Sequence, residues 1–130
     1  MASLAPLKLI GGNRASRDPW RCALAACLAA GLDWTAGVDE LDLAAAAWRR
    51  DLNCPVSTSA GRLFDAAAAL LGVCLVQAHE GEAAMRLEAI ASGDGSVLPL
   101  PLSEADGVLR ADWTPLLPML LNQDLAASAR

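Results

Sequence analysis

Three hydroxyl side chains and a glycine stand at the start of an alanine-rich segment that carries a single carboxylate. Residues 57–59 (Ser-Thr-Ser) precede Gly61, and Asp65 follows four residues after the glycine. A helix that begins here presents free N–H donors and a partial positive charge at its N-terminus. Helix ends of this kind bind phosphate groups. The pattern therefore indicates a site for a ligand that carries phosphate.

A second polar turn follows where this segment ends. Gly72 is typical of the residue after a helix, and residues 79–82 (His-Glu-Gly-Glu) precede another alanine-rich segment. Two helix entrances, each with a glycine, would then flank one carboxylate. The same residues also fit a purely structural role, with Ser59 as an N-cap and Gly72 as a C-cap, because most capped helices bind nothing.

Capping residues, prolines and glycines divide most of the chain into helices. The first is expected to begin with Asp18 as its cap and Pro19 at its first position. The predicted helices run from Pro19 to Gly31, from Asp39 or Glu40 to about Asn53, from Ser59 to Leu71, from Glu82 to Ser92, and from Pro115 to about Gln123. The bulk of the core is expected from Trp20, Trp34, Trp48, Phe64 and the leucines.

The C-terminal part of the chain differs in pattern from the rest. A loop is predicted at residues 93–95 (Gly-Asp-Gly), followed by a hairpin that pairs residues 97–102 with residues 107–111. The fold class is therefore mainly α, with four to five helices and one short β-hairpin. The predicted organisation is a single helical module over residues 1–130, with an extended lead-in over 1–16, a helical core over 17–92, and the hairpin and last helix over 93–130.

Charge and hydropathy exclude several classes of partner. The net charge is −5, and the ten Lys and Arg residues are scattered along the chain, which argues against nucleic acid. No stretch approaches the roughly 18 apolar residues of a membrane span, and the N-terminus lacks the features of a signal peptide. The sequence therefore predicts a cytoplasmic protein without a nucleic-acid or membrane partner.

The four cysteines and the single histidine form no pattern typical of a metal site. No C-x-x-C pair is present, and His79 stands alone beside glutamates in the polar turn. Cysteines outside such patterns are usually buried and act as small hydrophobic side chains. We therefore predict no metal in this chain and four buried thiols.

Four stretches of the chain, read together, resemble one family. They are GGNRASRDPWR at residues 11–21, PVSTSAGRLFDAAAALLG at 55–72, HEGEAAMRLEA at 79–89, and the segment 112–121 that begins with Asp-Trp. In order and spacing they resemble HypF-type carbamoyltransferases, the maturation proteins that make the cyanide ligands of nickel–iron hydrogenases. Asn13, His79 and Glu82 depart from that pattern, where Asp, Tyr and Gln are usual.

The resemblance implies a fragment of the family's C-terminal actin-like (ASKHA) carbamoyl-transfer domain, with the metal-binding residues outside this chain. Related enzymes that make threonylcarbamoyl-adenosine in tRNA hold a nucleotide-bearing substrate with an aspartate on the matching helix and a glycine in the following turn. These positions correspond to Asp65 and Gly81. The resemblance thus implies a nucleotide site of Asp65 and Gly81, with Ser59 and Gly61 at the helix entrance.

The resemblance also implies a function for the whole protein. ATP or carbamoyl-adenylate would be bound, and the carbamoyl group would pass to the C-terminal cysteine of a HypE-like partner. This chain alone is expected to be inactive, to contact the remaining domains of the same protein, and to expose an apolar face that favours a homodimer. Two alternatives stay open: a non-catalytic helical interaction module, and a structural domain with no separate activity.

Two arginines near the N-terminus belong to a further hypothesis. Arg17 and Arg21 are four residues apart, so they would share one face of a helix. Such a pair could face a phosphate group, but an interface with the rest of the domain is the favoured interpretation. Glu80 and Glu88 are predicted to be surface and capping residues rather than an acid–base pair.

Overall fold

The computed structural model describes residues 2–92 and 97–123 of the chain. Five α-helices lie in these ranges: α1 (Pro19–Ala30), α2 (Leu41–Arg49), α3 (Ala60–Leu70), α4 (Glu82–Ile90) and α5 (Leu116–Leu120). A 3-10 helix covers Gly12–Ser16. The strands are β1 (Ala2–Leu4), β2 (Leu7–Lys8), β3 (Val56–Ser57), β4 (Leu102–Ala105) and β5 (Val108–Ala111). The predicted fold class, mainly α with a short hairpin, is confirmed.

The hairpin is present, but its first strand lies later in the chain than predicted. β4 pairs with β5 in antiparallel register from Leu102 opposite Ala111 to Ala105 opposite Val108. The prediction of residues 97–102 was wrong because Pro99 and Pro101 lack the N–H groups that a strand ladder needs. The turn consists of Asp106 and Gly107, both with positive φ, as the type I′ two-residue hairpin turn requires.

Two strand pairings in the structure have no counterpart in the sequence prediction. β1 lies parallel to β5 and completes a three-stranded sheet in the order β1-β5-β4, while β2 and β3 pair separately in antiparallel fashion. The indole Nε1 of Trp113 also donates a 2.9 Å hydrogen bond to the carbonyl oxygen of Ala5. These contacts join the two ends of the described chain.

The predicted extended lead-in is only partly extended. Residues 12–16 form the 3-10 helix instead, because Gly11 and Gly12 take left-handed φ angles of 80° and 59° and turn the chain after β2. The helix α2 likewise ends at Arg49 rather than near Asn53. Asp51 and Asn53 have positive φ angles of 53° and 49°, which a continuing right-handed helix does not allow.

The last helix is also shorter than predicted. It was expected to reach about Gln123, but α5 ends at Leu120, and the N–H of Asn122 donates to the carbonyl oxygen of Met119, three residues back instead of the four of an α-helix. Its N-cap is Pro115, which was predicted as the first residue of the helix. The loop predicted at residues 93–95 lies outside the described residues.

The core forms around α1, which is buried from Pro19 to Cys27. α1 packs against α3 and α2, and the alanines on these helices allow a close approach. All four cysteines are free and buried, which confirms that prediction. Burial raises the pKa of Cys22 to about 12 and that of Cys27 to about 11, so these thiols stay protonated at neutral pH.

Phe64 is an exception among the expected core residues. Trp20 is buried and Trp34 and Trp48 are partly buried against the core, but Phe64 is 50% exposed on α3. No helix within residues 2–92 and 97–123 has the length and apolar character needed to cross a membrane.

Candidate functional site

The N-terminus of α3 presents a helix entrance without side-chain capping. Ser59 is the N-cap residue, with φ −68° and ψ 126°, but its side chain makes no capping hydrogen bond. Its own backbone N–H instead donates to Oγ of Ser57 at 3.1 Å. Ser59 therefore has the predicted position but not the predicted bond, and its exposed hydroxyl stands 3.3 Å from where a Cβ at Gly61 would lie.

Asp65 is buried on α3, with 1% of its surface exposed. Its Oδ2 lies 3.1 Å from Nη2 of Arg62, yet within the described chain no donor is aligned to hydrogen-bond that oxygen. Burial raises the pKa of Asp65, the charge of Arg62 opposes this, and the charge of Glu80 adds to it. The fold thus buries a carboxylate whose hydrogen-bonding capacity it does not satisfy.

Gly61 and Asp65 occupy one face of α3 because they are four residues apart. Gly61 carries no side chain that would cover this face, so a ligand approaching the helix entrance could reach the backbone there. Ser59 begins the same helix, about 9 Å along its axis from Asp65 at 1.5 Å per residue. The three residues therefore line the first two turns of α3 rather than one point.

Gly81 is the N-cap residue of α4, with a left-handed φ of 83°. No atom lies within 4 Å of where its Cβ would be, so its backbone is uncovered on that side. Neighbouring side chains hold the turn. Oε2 of Glu82 accepts a hydrogen bond from the backbone of Ala78 at 2.5 Å, and Oε1 of the buried Gln77 accepts one from Ala83 at 3.0 Å.

The turn before α4 lies near Asp65. α3 and α4 pack against each other, and Glu80 is close enough for its charge to raise the pKa of Asp65. The packing of α3 against α4 therefore places the turn that contains Gly81 within electrostatic range of Asp65, 16 positions earlier in the sequence. Ser59 and Gly61 remain at the entrance of α3.

An apolar groove, missed by the sequence analysis, lies between α3 and α4. It has a volume of about 420 Å³ and is lined by Phe64, Ala84, Met85, Leu87, Glu88 and Ala91. Its two largest side chains, Phe64 and Met85, are 50% and 54% exposed. The sequence does show an apolar ring, Phe64, directly before Asp65. The helical pattern alone does not say which apolar face of α3 is covered by the rest of the chain.

Arg17 and Arg21 do not form a pair in the structure. Arg21 is buried and donates hydrogen bonds to Asp18 at 2.9 Å and to Glu40 at 3.0 Å. Arg17 is exposed and lines a separate polar cavity of about 200 Å³ together with Arg14. The hypothesis of a phosphate-facing Arg17–Arg21 pair is therefore wrong.

The described ranges contain no group of three or more His, Cys, Asp or Glu residues placed to hold a metal ion. His79 is exposed in the turn before α4, with Nδ1 3.2 Å from the carbonyl oxygen of Glu80. The side chains that surround the candidate site are thus a carboxylate, an arginine, hydroxyls and apolar groups. This set can bind hydroxyl groups and an apolar ring.

Comparison with known proteins decides the family. Residues 1–130 match the family model described as "Carbamoyltransferase, Kae1-like Domain, second subdomain". The chain belongs to the HypF carbamoyltransferase family. It is 51% identical over 108 residues to the carbamoyltransferase HypF of Rhodobacter capsulatus, and this alignment covers 78% of this chain and 14% of that protein. It is 44% identical over 129 residues to the HypF of Rhizobium leguminosarum bv. viciae, and this alignment covers 93% of this chain and 16% of that protein.

A solved HypF structure has a similar fold. The crystal structure of full-length HypF in the phosphate- and nucleotide-bound form aligns with a TM-score of 0.84 and 26% identity, over 99% of this chain and 22% of that one. The HypF of T. kodakarensis shares the fold, with a TM-score of 0.72. The chain therefore spans only a small part of the length of the HypF proteins that it matches.

Proposed function

We propose that this chain is the part of a HypF carbamoyltransferase that holds the nucleotide of a carbamoyl-adenylate. The observation that carries the proposal is the buried Asp65, whose Oδ2 has no aligned donor and which shares a helix face with Gly61. A carboxylate can accept hydrogen bonds from both hydroxyls of a ribose. Ribose hydroxyls would satisfy a buried acceptor that otherwise costs folding free energy.

The other two features support the same ligand. Gly81 offers an uncovered backbone in the turn that lies near Asp65. The groove between α3 and α4, at about 420 Å³, has the size and apolar lining of small-molecule pockets, which span about 300–1,000 Å³. The exposed ring of Phe64 gives a flat surface on which a base could stack.

In the whole protein, this nucleotide site would serve transfer of the carbamoyl group to the C-terminal cysteine of a HypE-like partner. The family membership and the resemblance to nucleotide-bound HypF support this assignment. The protein's own residues would bind the ribose and the base, and would position the activated carbamoyl group. We also propose that the chain works with a HypE-like acceptor and with the remaining domains of the same protein, and that it does so in the cytoplasm.

The test is Asp65→Ala in the full-length protein that contains this chain, with nucleotide binding measured by calorimetry. Binding should weaken by about 1–3 kcal/mol, the usual scale for charged hydrogen bonds. Folding stability should stay nearly the same or rise slightly, because the raised pKa of Asp65 means that burial outweighs the attraction of Arg62. The matched control is Asp42→Ala, which removes an exposed carboxylate from α2.

Normal nucleotide binding by an unstable Asp65→Ala protein would show that Asp65 is structural. A second candidate function, a non-catalytic helical interaction module, is favoured by the half-exposed Phe64 and Met85. Under that alternative, a partner protein would occupy the groove, and Phe64→Ser would weaken the partner complex while nucleotide binding stayed undetectable.

A further inference from the structure

A smaller cavity of about 230 Å³ lies between the 3-10 helix and α2. None of its lining residues belongs to α3, to α4 or to the turn between them. The residues that give it its chemistry are Arg14, Arg21, Glu40, Leu43, Leu52 and Asn53. The proposed nucleotide site therefore leaves this cavity unexplained.

Arg21 supplies a fixed guanidinium group to the cavity. Its residue surface is 6% exposed, and its Cζ lies 4.5 Å from the centre of the Trp20 ring. Nε donates to Asp18 at 2.9 Å, and Nη2 donates to Glu40 at 3.0 Å. Nη1 makes no hydrogen bond to any residue in the described ranges. The group is thus held by Asp18, Glu40 and the Trp20 ring, and both N–H donors of Nη1 stay free.

The backbone beside this donor is a glycine. Gly11 has a left-handed φ of 80°, and a Cβ at this position would lie 3.0 Å from Nη1 of Arg21. Any other residue would press on the guanidinium group. The sequence therefore keeps the space next to the free donor clear of side-chain atoms.

A carboxylate of the protein already stands between two arginines here. Oε2 of Glu40 lies 3.0 Å from Nη2 of Arg21 and 3.6 Å from Nη2 of Arg14. The side chains of Glu40 and Arg14 are 52% and 64% exposed, so the second contact is a loose ion pair at the surface. The carboxylate position is thus built mainly by the buried arginine.

The remaining wall of the cavity is apolar. Leu43 is 74% exposed and Leu52 is 57% exposed, so both side chains present apolar surface to solvent beside the cavity. The side chain of Asn53 also lines the cavity, from a residue with a left-handed φ of 49°. A ligand that fills the space would meet guanidinium groups at one end and leucine side chains at the other.

We propose that this cavity binds a small carboxylate with an aliphatic body, and that the ligand's carboxylate takes the place of the Glu40 carboxylate between Arg14 and Arg21. Planar guanidinium groups match carboxylates in geometry. The two positive charges of Arg14 and Arg21 already cancel the two negative charges of Asp18 and Glu40. Replacing the Glu40 carboxylate by the ligand's carboxylate keeps the charges between the arginines balanced, whereas an additional anion would leave an excess of negative charge. The volume is below that of pockets for drug-sized ligands, which suits an acid about the size of one residue.

This ligand chemistry has two sources, a free aliphatic acid and the C-terminal residue of a polypeptide. The test is an NMR titration of the chain with 4-methylpentanoate, with N-acetyl-leucine, and with N-acetyl-leucinamide, which lacks the carboxylate. An acid should shift the methyl signals of Leu43 and Leu52 and the Nε–H signal of Arg21, while the amide should not. Tighter binding of N-acetyl-leucine than of 4-methylpentanoate identifies a polypeptide C-terminus, and the reverse order identifies a free acid.

Two variants test the exchange itself. Glu40→Gln removes the competing carboxylate and should tighten acid binding about tenfold, while Arg14→Gln should weaken it about tenfold. Both side chains are more than half exposed, so circular dichroism should show unchanged folding. Arg49→Gln, on α2 but outside the cavity, is the control. Equal binding of acid and amide, no shift with either acid, or no gain in Glu40→Gln would overturn the proposal.

Discussion

At Asp65 and Glu82, two carboxylates only 17 residues apart in the sequence meet opposite environments. Burial raises the pKa of Asp65 above its ordinary value of 3.8. The hydrogen bond from the backbone N–H of Ala78 lowers the pKa of Glu82 below 4.5, with smaller help from Arg86. The surroundings of Asp65 therefore disfavour its charged form, whereas those of Glu82 favour its charged form. This difference separates a residue that is available to a ligand from one that holds a turn.

The two carboxylates predict opposite effects of pH on stability. The raised pKa of Asp65 contributes stability below pH 3.8 that is lost as the pH rises through its folded value. Asp65→Asn, which cannot ionise, should therefore gain stability over the unsubstituted chain at pH 7 and lose that advantage at pH 3. The lowered pKa of Glu82 contributes stability above pH 4.5, so Glu82→Gln should lose stability at pH 7 and match the unsubstituted chain at low pH.

Urea unfolding of both variants between pH 3 and pH 7 measures these differences. Each variant serves as the control for the other, because general effects of pH on the fold act on both. An Asp65→Asn variant that is less stable than the unsubstituted chain at pH 7 would mean that the ion pair with Arg62 outweighs burial.

At the scale of the helices, the sequence predicted most of what the structure contains. α1 was predicted from Pro19 to Gly31 and lies at Pro19–Ala30, because a proline at the start and a glycine at the end are local signals. The pairing of β1 with β5 could not be predicted. Each strand has only three or four residues, and Ala2 pairs with Leu109, far along the chain. Local patterns carry no information on partners so distant.

The candidate site was predictable to the same limited extent. Asp65 and Gly81 followed from the resemblance, and the structure places the Gly81 turn near Asp65. The groove between α3 and α4 was missed, because Phe64 was expected in the core. An apolar residue on a helix can face a neighbouring helix or a ligand, and only the packing of α3 against α1 shows which face stays open.

The entrance of α4 depends on the conformation of Gly81. Its φ of 83° is unfavourable for any residue with a Cβ, by about 1–2 kcal/mol, although there is free space around the position. Gly81→Ala should therefore lower the free energy of unfolding by about that amount through backbone strain alone. Thermal unfolding measures the change. The matched control is Gly37→Ala, at a glycine that also has free space but no positive φ. Equal stability of the two variants would contradict this account of the turn.

At the scale of the whole molecule, the chain matches only a small part of the length of its HypF relatives. It covers 14% and 16% of the length of the two relatives described above. We therefore predict that the purified 130-residue chain has no carbamoyl-transfer activity, because positioning of the reacting groups needs residues beyond those it carries. Hydrolysis of carbamoyl phosphate measures this, with the full-length protein as the positive control. Turnover by the chain alone would contradict the prediction.

The exposed apolar groove between α3 and α4 predicts association of the isolated chain. Half-exposed large side chains such as Phe64 and Met85 favour contact with another apolar surface. At high concentration the chain should dimerise or bind a hydrophobic dye. The double variant Phe64→Ser with Met85→Gln should reduce both. Leu102→Gln, which replaces an exposed leucine on β4 away from the groove, should not. Analytical ultracentrifugation and dye fluorescence measure the two effects, and a strictly monomeric chain that binds no dye would show that the groove is not adhesive.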